Sequence, residues 1–467
     1  MGSTQELPII WRTESLESEY ERARVGRVFN QRRPRRHPRA VVEATEESHI
    51  VEAVRLAIQQ QCRVSVRSGG HSWASWSVRD DAILIDLGNY HLLELDETKG
   101  TVTVSPSTTG RVLNGYLAQK GLMFAGGHCP DVGVGGFLLQ GGMGWNCKNW
   151  GWACEQVLAI DAVNAQGDLV HCNATENPEL FWCARGAGPG FPAVVTKFHL
   201  RVKPSYSNIL STTLVYPMSH YRVVMDWIVK ISPEFDADTE IVAVGATAPP
   251  EVGTRKPCII PLFVTFKNSD EEARAALEQA NRSRPEGALL ELINQPTSLA
   301  NEYKKQTAAN PENHRYCAEN AYISNDENVA AVLEEAFTTL PHPKAFSLWY
   351  SMNPCSRRDL PDMALSMQSD HYFALYTVWE HESDDDRCQA WVKDIMRKVE
   401  RHSDGAYLGD SDFQVRRTKF WADENATRLM ELRRKLDPDG VICGYLDVDD
   451  ASGVGGLANE HEWKGKL

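Results

Sequence analysis

Two stretches of the chain set a nucleophile among glycines. Arg67-Ser68-Gly69-Gly70-His71 follows a short β-type run, Arg63 to Val66, and ends on an imidazole. Glycines there permit positive φ and let backbone N–H groups close on an anion. The second stretch is Gly126-Gly127-His128-Cys129-Pro130-Asp131-Val132-Gly133-Val134-Gly135-Gly136, continuing through Gln140-Gly141-Gly142-Met143-Gly144. Eight glycines between positions 126 and 144 make a poor helix or strand, which points to a ligand pressed against the backbone. Imidazole and thiolate are the soft nucleophiles of proteins, so His71 and Cys129 are candidates for covalent chemistry. His128 and Cys129 could also be read as metal ligands, but no second cysteine pair lies nearby, and no metal site is assigned. Neither stretch is the G-x-G-x-x-G that opens a Rossmann helix, which disfavours NAD.

The segments around these loops must position them. Thr45 is read as capping a helix with Ile50, Val51, Val54 and Ala57 on one face. Ile83-Leu84-Ile85 reads as a buried strand and Thr101-Val102-Thr103-Val104 as a half-buried one. Thr108 or Thr109 caps a second helix with Val112, Leu113, Tyr116 and Leu117 inward, stopped by Gly121. Strands alternating with helices indicate a nucleotide-binding lobe. After Pro204 the texture changes. Helical stretches, Asp270 to Ala280 and Asn328 to Thr338, stand among strand-like runs, Cys258 to Phe266, Phe346 to Met352 and Tyr372 to Trp379. A helix with Leu429, Leu432 and Leu436 comes last. A chain of 467 residues is too long for one core. The expected division is 1–205, 206–407 and 408–467.

Composition removes whole classes of function. A net charge of -14 is a poor match to the phosphates of nucleic acid. The longest apolar run, Cys258 to Val264, is far short of the roughly 20 residues of a membrane span. The eight arginines between Arg22 and Arg39 read as a solvated stretch pairing with acidic surface. Eleven cysteines without zinc-type spacing are expected to be free thiols in a reducing compartment. Met1 to Ile10 carries no secretory pattern, so the sequons at Asn173, Asn281 and Asn425 are taken as chance matches. An intracellular, cytoplasmic protein is expected, with the Gly465-Lys466-Leu467 ending close to a peroxisomal address.

A third segment completes a pattern. Leu180-Phe181-Trp182, Gly186-Ala187-Gly188-Pro189-Gly190-Phe191 and Val194-Val195-Thr196 follow the two glycine loops in order. Together they resemble the FAD-binding domain of the vanillyl-alcohol-oxidase/p-cresol-methylhydroxylase flavoproteins, in the berberine-bridge-enzyme-like branch. The resemblance is strong over residues 30–205 and looser over 340–446. It implies an α+β fold, with a two-lobed PCMH-type FAD-binding domain and a substrate domain whose antiparallel sheet is flanked by helices. Position by position, His71 matches the histidine bonded to the flavin 8α-methyl, and Cys129 the cysteine bonded to C6. Arg67, Ser68, Gly69, Gly70, His71 and Ser72 would wrap the pyrophosphate. Gly133, Gly135, Gly136, Gly141, Gly142 and Gly144 would line flavin and phosphates, with His128 beside Cys129 and Val195 on the adenine side.

The resemblance also places the substrate. By period two, Tyr372, Ala374, Tyr376 and Val378 share one strand face, and Phe373, Leu375, Thr377 and Trp379 the other. Sequence leaves open which face meets substrate. Where the family carries Tyr-x-Asn-Tyr-x-Asp, this chain has Tyr407-Leu408-Gly409-Asp410-Ser411-Asp412, so Asp410 replaces the basic tyrosine. Asp437-Pro438 also matches, while Gly440 and Ile442 depart from the usual Asn and Phe. Asp410 is the first candidate base, then Tyr407 and Tyr376. Val132 occupies the position whose size governs oxygen access. The implied activity is hydride transfer from a mid-sized, aromatic or alkaloid-like metabolite to flavin N5, with O2 reduced to H2O2. A dehydrogenase using another acceptor, and a non-redox flavoprotein cyclase or isomerase, stand as alternatives. The oligomeric state is left open.

Overall fold

Val41-Val42 and Ile83-Leu84-Ile85 are β-branched or aliphatic on both faces, the pattern of strands covered on two sides. In the computed structural model, which describes residues 6–446, they form the centre of a four-stranded sheet. Its order is Ile9–Trp11, Ala40–Glu43, Ile83–Asp86, Val64–Arg67, with the last three parallel. The helix Glu47–Gln59 covers it through Ile50, Ala53, Val54 and Ala57. That helix starts after Glu46, and Thr45 contacts His49 Nδ1 at 3.3 Å instead of capping.

A five-stranded antiparallel sheet follows: Leu93–Asp96, Thr101–Val104, Ala193–Arg201, Val157–Asn164, Leu169–Cys172. Thr109 caps the helix Gly110–Ala118 by accepting from Val112 N–H at 3.3 Å. That cap fixes the helix phase, so Leu113, Asn114 and Leu117 point inward. Val112 and Tyr116 lie one position off that face and are exposed, unlike the expectation. The arginine stretch is solvated only in part: Arg22, Arg27, Arg33 and Arg35 are exposed, and Arg27 pairs with Asp86. Arg24 and Arg36 are buried and donate to the carbonyls of Pro34, Val78 and Ala74, while Arg32 pairs with Asp412 at 2.9 Å. A guanidinium can satisfy several carbonyls at once, which suits it to packing irregular chain.

The third sheet is antiparallel and has eight strands. In order they are Leu290–Thr297, Asn208–Pro217, Pro257–Lys267, Thr239–Thr247, Phe346–Ser351, His371–Trp379, Arg315–Ile323 and Ser403–Gly405. The helices Tyr221–Ile231, Asp270–Ser283 and Asp385–Val399 pack on one face, burying Phe373, Leu375 and Trp379. The stretch 328–338 forms two short helices, Val329–Val332 and Glu334–Thr338. The sheet's other face, with Tyr372, Ala374, Tyr376 and Val378, packs toward Met143, Cys147 and Trp152 of the glycine-loop region. The chain then returns, and Asp423–Leu436 buries Leu429 and Leu432 in one core with Leu180 and Trp182. Among the described residues no helix is long and apolar enough to cross a membrane. Gly465-Lys466-Leu467 lie outside the described residues.

Candidate active site

A cavity of about 760 Å³ opens between the glycine loops and the inner face of the eight-stranded sheet. Arg67, Ser68, Gly69, Gly70, His71 and Ser72 line one side, with His128, Cys129, Val132, Gly133, Gly135, Gly136 and Val195. Tyr376, Tyr407 and Asp410 line the other. The two loops meet backbone to backbone: a Cβ on Gly69 would lie 2.5 Å from Gly133 N. Gly70, at φ +77°, would drive a Cβ into Arg27 O. Gly136 faces open space where a Cβ would project. Gly141, Gly142 and Gly144 differ from the expectation, since they do not line the cavity. They pack instead against Leu365, Ala153 and the Ala125 carbonyl, shaping the loop from behind.

The nucleophiles are desolvated. The His71 ring stacks on Phe29 at 4.2 Å, and burial pulls its pKa down to about 4, leaving a neutral imidazole with a lone pair. Burial pushes the Cys129 thiol up to about 11. Burial acts to lower His128, but the Glu240 carboxylate 3.2 Å away outweighs it, and the imidazole is held above its ordinary value. Glu240 also accepts the Asn146 N–H, so its second oxygen is satisfied. The Arg67 side chain turns away from the cavity, forming an ion pair with Asp86 at 2.7 Å.

Across the cavity, Tyr372 donates its hydroxyl to Asp410 Oδ2. Burial raises the Asp410 pKa, and the bonds from Tyr372, Tyr376 and Trp73 only partly offset it. Tyr376 stacks on Phe346 at 4.7 Å. The Tyr407 hydroxyl is engaged, accepting from Gly142 N–H at 3.1 Å and Met143 N–H at 3.3 Å. The segment is bolted to the strand Arg315–Ile323. Asn320 bonds both the Tyr407 carbonyl and its N–H at 2.7 Å, and Ser411 donates to Glu319 at 2.9 Å. The cavity-facing side of His371–Trp379 is therefore the Tyr372/Tyr376 face. Sequence reasoning missed Trp73, Glu240 and Tyr350 on the wall, and Ile442, noted only as a departure from the family pattern, lies there too. One signal was available: Glu240 sits in phase with Val242 and Val244 on an alternating strand, where a carboxylate is out of place.

The family model of an FAD binding domain matches residues 38–173. An FAD-linked oxidoreductase of Penicillium ochrochloron is 37% identical over 92% of this chain and 94% of its own length. The chain belongs to the FAD-linked oxidoreductases. The (R)-6-hydroxynicotine oxidase of Paenarthrobacter nicotinovorans is 32% identical over 35% of this chain and 36% of its own. The fold is that of berberine-bridge-enzyme-like proteins. BBE-like 1 of Physcomitrella patens superposes with a TM-score of 0.81 at 17% identity, over 96% of this chain and 97% of that one. The cavity has the character an FAD site of this FAD-linked oxidoreductase needs: glycines of the two loops meet at Gly69 and Gly133, and Gly136 leaves open space beside them.

Proposed function

We propose that this enzyme is an oxidase that holds FAD by two covalent bonds, at His71 and Cys129. It dehydrogenates a mid-sized, partly aromatic or alkaloid-like secondary metabolite, with O2 as acceptor and H2O2 as product. Residues 1–205 and 408–467 are assigned to the FAD lobe and 206–407 to the substrate lobe. The observation that carries the reading is the placement of Asp410, a desolvated carboxylate facing two nucleophiles set in glycine loops across one cavity. The similarity to a hydroxynicotine oxidase supports oxygen as acceptor. An intracellular location suits eleven free cysteines, nine of them buried.

When bound, FAD supplies the hydride acceptor and the site of reaction with oxygen. The protein supplies position and protons. Backbone N–H groups of Arg67 to Ser72 would hold the diphosphate, and Gly133, Gly135 and Gly136 would allow close approach, with Val195 toward the adenine. His71 presents a neutral nitrogen for attachment. Asp410 takes the proton that a substrate hydroxyl or amine loses as hydride departs. The aromatic wall of Phe346, Trp73 and Tyr376 excludes water and stacks on planar substrate groups.

Anaerobic mixing with a panel of alcohols, amines and phenolic metabolites tests the activity. The expected outcome is bleaching of the flavin by some members, followed by peroxide when air is admitted. Bleaching without peroxide would make the enzyme a dehydrogenase, and no bleaching by any member would remove the redox reading. Attachment is tested separately. Acid-precipitated protein should stay yellow, and mass spectrometry should find FAD on peptides containing His71 and Cys129. Free FAD in the supernatant refutes the covalent bonds.

A further inference from the structure

A cluster away from the cavity has the composition of a metal site. Asp161 lies on the strand Val157–Asn164, His171 opposite it on Leu169–Cys172, and His199 on the other neighbour, Ala193–Arg201. None of the three lines the cavity. His171 Nδ1 is 2.6 Å from Asp161 Oδ1, and His199 Nε2 is 3.4 Å from Asp161 Oδ2. One donor atom from each residue falls within 4.8 Å of the others.

His199 is not an ordinary surface imidazole. His199 Nδ1 hydrogen-bonds Thr103 Oγ1 at 3.0 Å, while its Nε2 is buried and has no hydrogen-bond partner among the described residues. An imidazole oriented through one nitrogen, with the other turned toward a carboxylate, is how proteins arrange a metal ligand. Zinc bonds of about 2.0–2.2 Å in a tetrahedron set ligand atoms about 3.3 Å apart. Asp161 and His199 already stand at that spacing. His171 is 41% exposed, which leaves its ring room to move, and its Nδ1 faces the other oxygen of the same carboxylate, Oδ1. Lys197 Nζ lies 3.4 Å from Asp161 Oδ2 but is also 3.0 Å from Glu47, so it keeps a carboxylate when Asp161 turns to a cation.

We infer that Asp161, His171 and His199 form a site for one divalent transition metal of the zinc class, with water completing the coordination. Two imidazoles and one carboxylate suit zinc, nickel or copper and not calcium or magnesium, which take oxygen ligands. The metal would clip three adjacent strands.

Holoprotein treated with a chelator and dialysed against zinc tests this, with zinc counted by elemental mass spectrometry against flavin absorbance. Wild type should hold one zinc per flavin more than His171→Gln or His199→Gln, and bind it at least about tenfold more tightly. Zinc should also raise the melting temperature of wild type and not of the variants, because a ligand of the folded state stabilises it. Should either variant lose its flavin, Asp161→Asn takes its place in the same comparison. Equal zinc counts in wild type and variants, or a melting temperature that zinc leaves unchanged, overturns the site.

Discussion

A carboxylate shut away from water is a stronger base than a solvated one, unless its hydrogen-bond donors outweigh the burial. Burial raises Asp410 above its ordinary value of 3.8, and the bonds from Tyr372, Tyr376 and Trp73 lower it less than burial lifts it. The base works when deprotonated. Anaerobic flavin reduction should therefore speed up as pH rises through a pKa higher than that of a solvated aspartate, then level off. Asp410→Asn should keep the flavin spectrum, slow reduction at least about a hundredfold and erase that limb of the pH profile. Reduction near the wild-type rate would pass the role to Tyr376, since the Tyr407 hydroxyl is already occupied by Gly142 and Met143. Val132 lines the cavity beside Cys129. On the proposed oxidase reading, the larger side chain of Val132→Leu would narrow oxygen access, so stopped-flow traces should show slower reoxidation with anaerobic reduction nearly unchanged; equal reoxidation rates would acquit the residue. At this scale, what was legible was what is contiguous. Ser68 to Ser72 and His128 to Gly136 are neighbours along the chain, whereas Glu240 reaches His128 and Tyr372 reaches Asp410 only because the sheet face packs against distant loops.

Elements owe their placement here to backbone approaches that side chains would block. Gly69 and Gly133 come from loops more than sixty residues apart, yet a Cβ on either would fall within 3 Å of the other's amide nitrogen. Gly69→Ala should push the loops apart, at a cost of about 1–3 kcal/mol in stability. The flavin-to-protein absorbance ratio of the purified variant should fall along with its melting temperature. Full flavin content would mean that the two loops close without this contact. The glycine density announced a close approach, but sequence could not say to what. Gly69 and Gly133 face each other, Gly136 faces the cavity, and Gly141, Gly142 and Gly144 face core side chains and backbone. The face of the helix Gly110–Ala118 was misread in part for a similar reason: the cap at Thr109 sets its rotation, so Leu113 and Leu117 are buried as expected while Val112 and Tyr116 are exposed. Strand faces came out better, since period two separates Tyr372 and Tyr376 from Phe373 and Leu375 whatever the register.

The whole molecule is closed by its returning chain. Val441 O accepts from Val64 N–H at 2.7 Å, Cys443 N–H donates to Val64 O at 2.9 Å, and Trp76 donates to Gly444 O at 2.7 Å. These bonds lay residues 441–444 along the parallel sheet and bring Ile442 to the cavity wall. The turn that aims them depends on Asp437. Its buried carboxylate accepts from Val441 N–H at 2.7 Å and Ile442 N–H at 2.8 Å, and Gly440 supplies the φ of +64° that reverses the chain. Burial raises the pKa of this carboxyl even against those two amides, so the group is committed to them and not to solvent. Asp437→Ala leaves two amides without an acceptor in a place water reaches poorly, which costs about 1–3 kcal/mol. Asp437→Asn keeps one carbonyl oxygen and should fall between alanine and wild type. Since Ile442 borders the cavity, the loss should appear twice, as a lower melting temperature and as an altered visible circular dichroism of the bound flavin. A melt that shifts with no change in the flavin signal would mean the turn supports the core without shaping the cavity. A melt that does not shift would transfer the burden to Trp76 and the Val64 bonds, which hold the same segment from the opposite side.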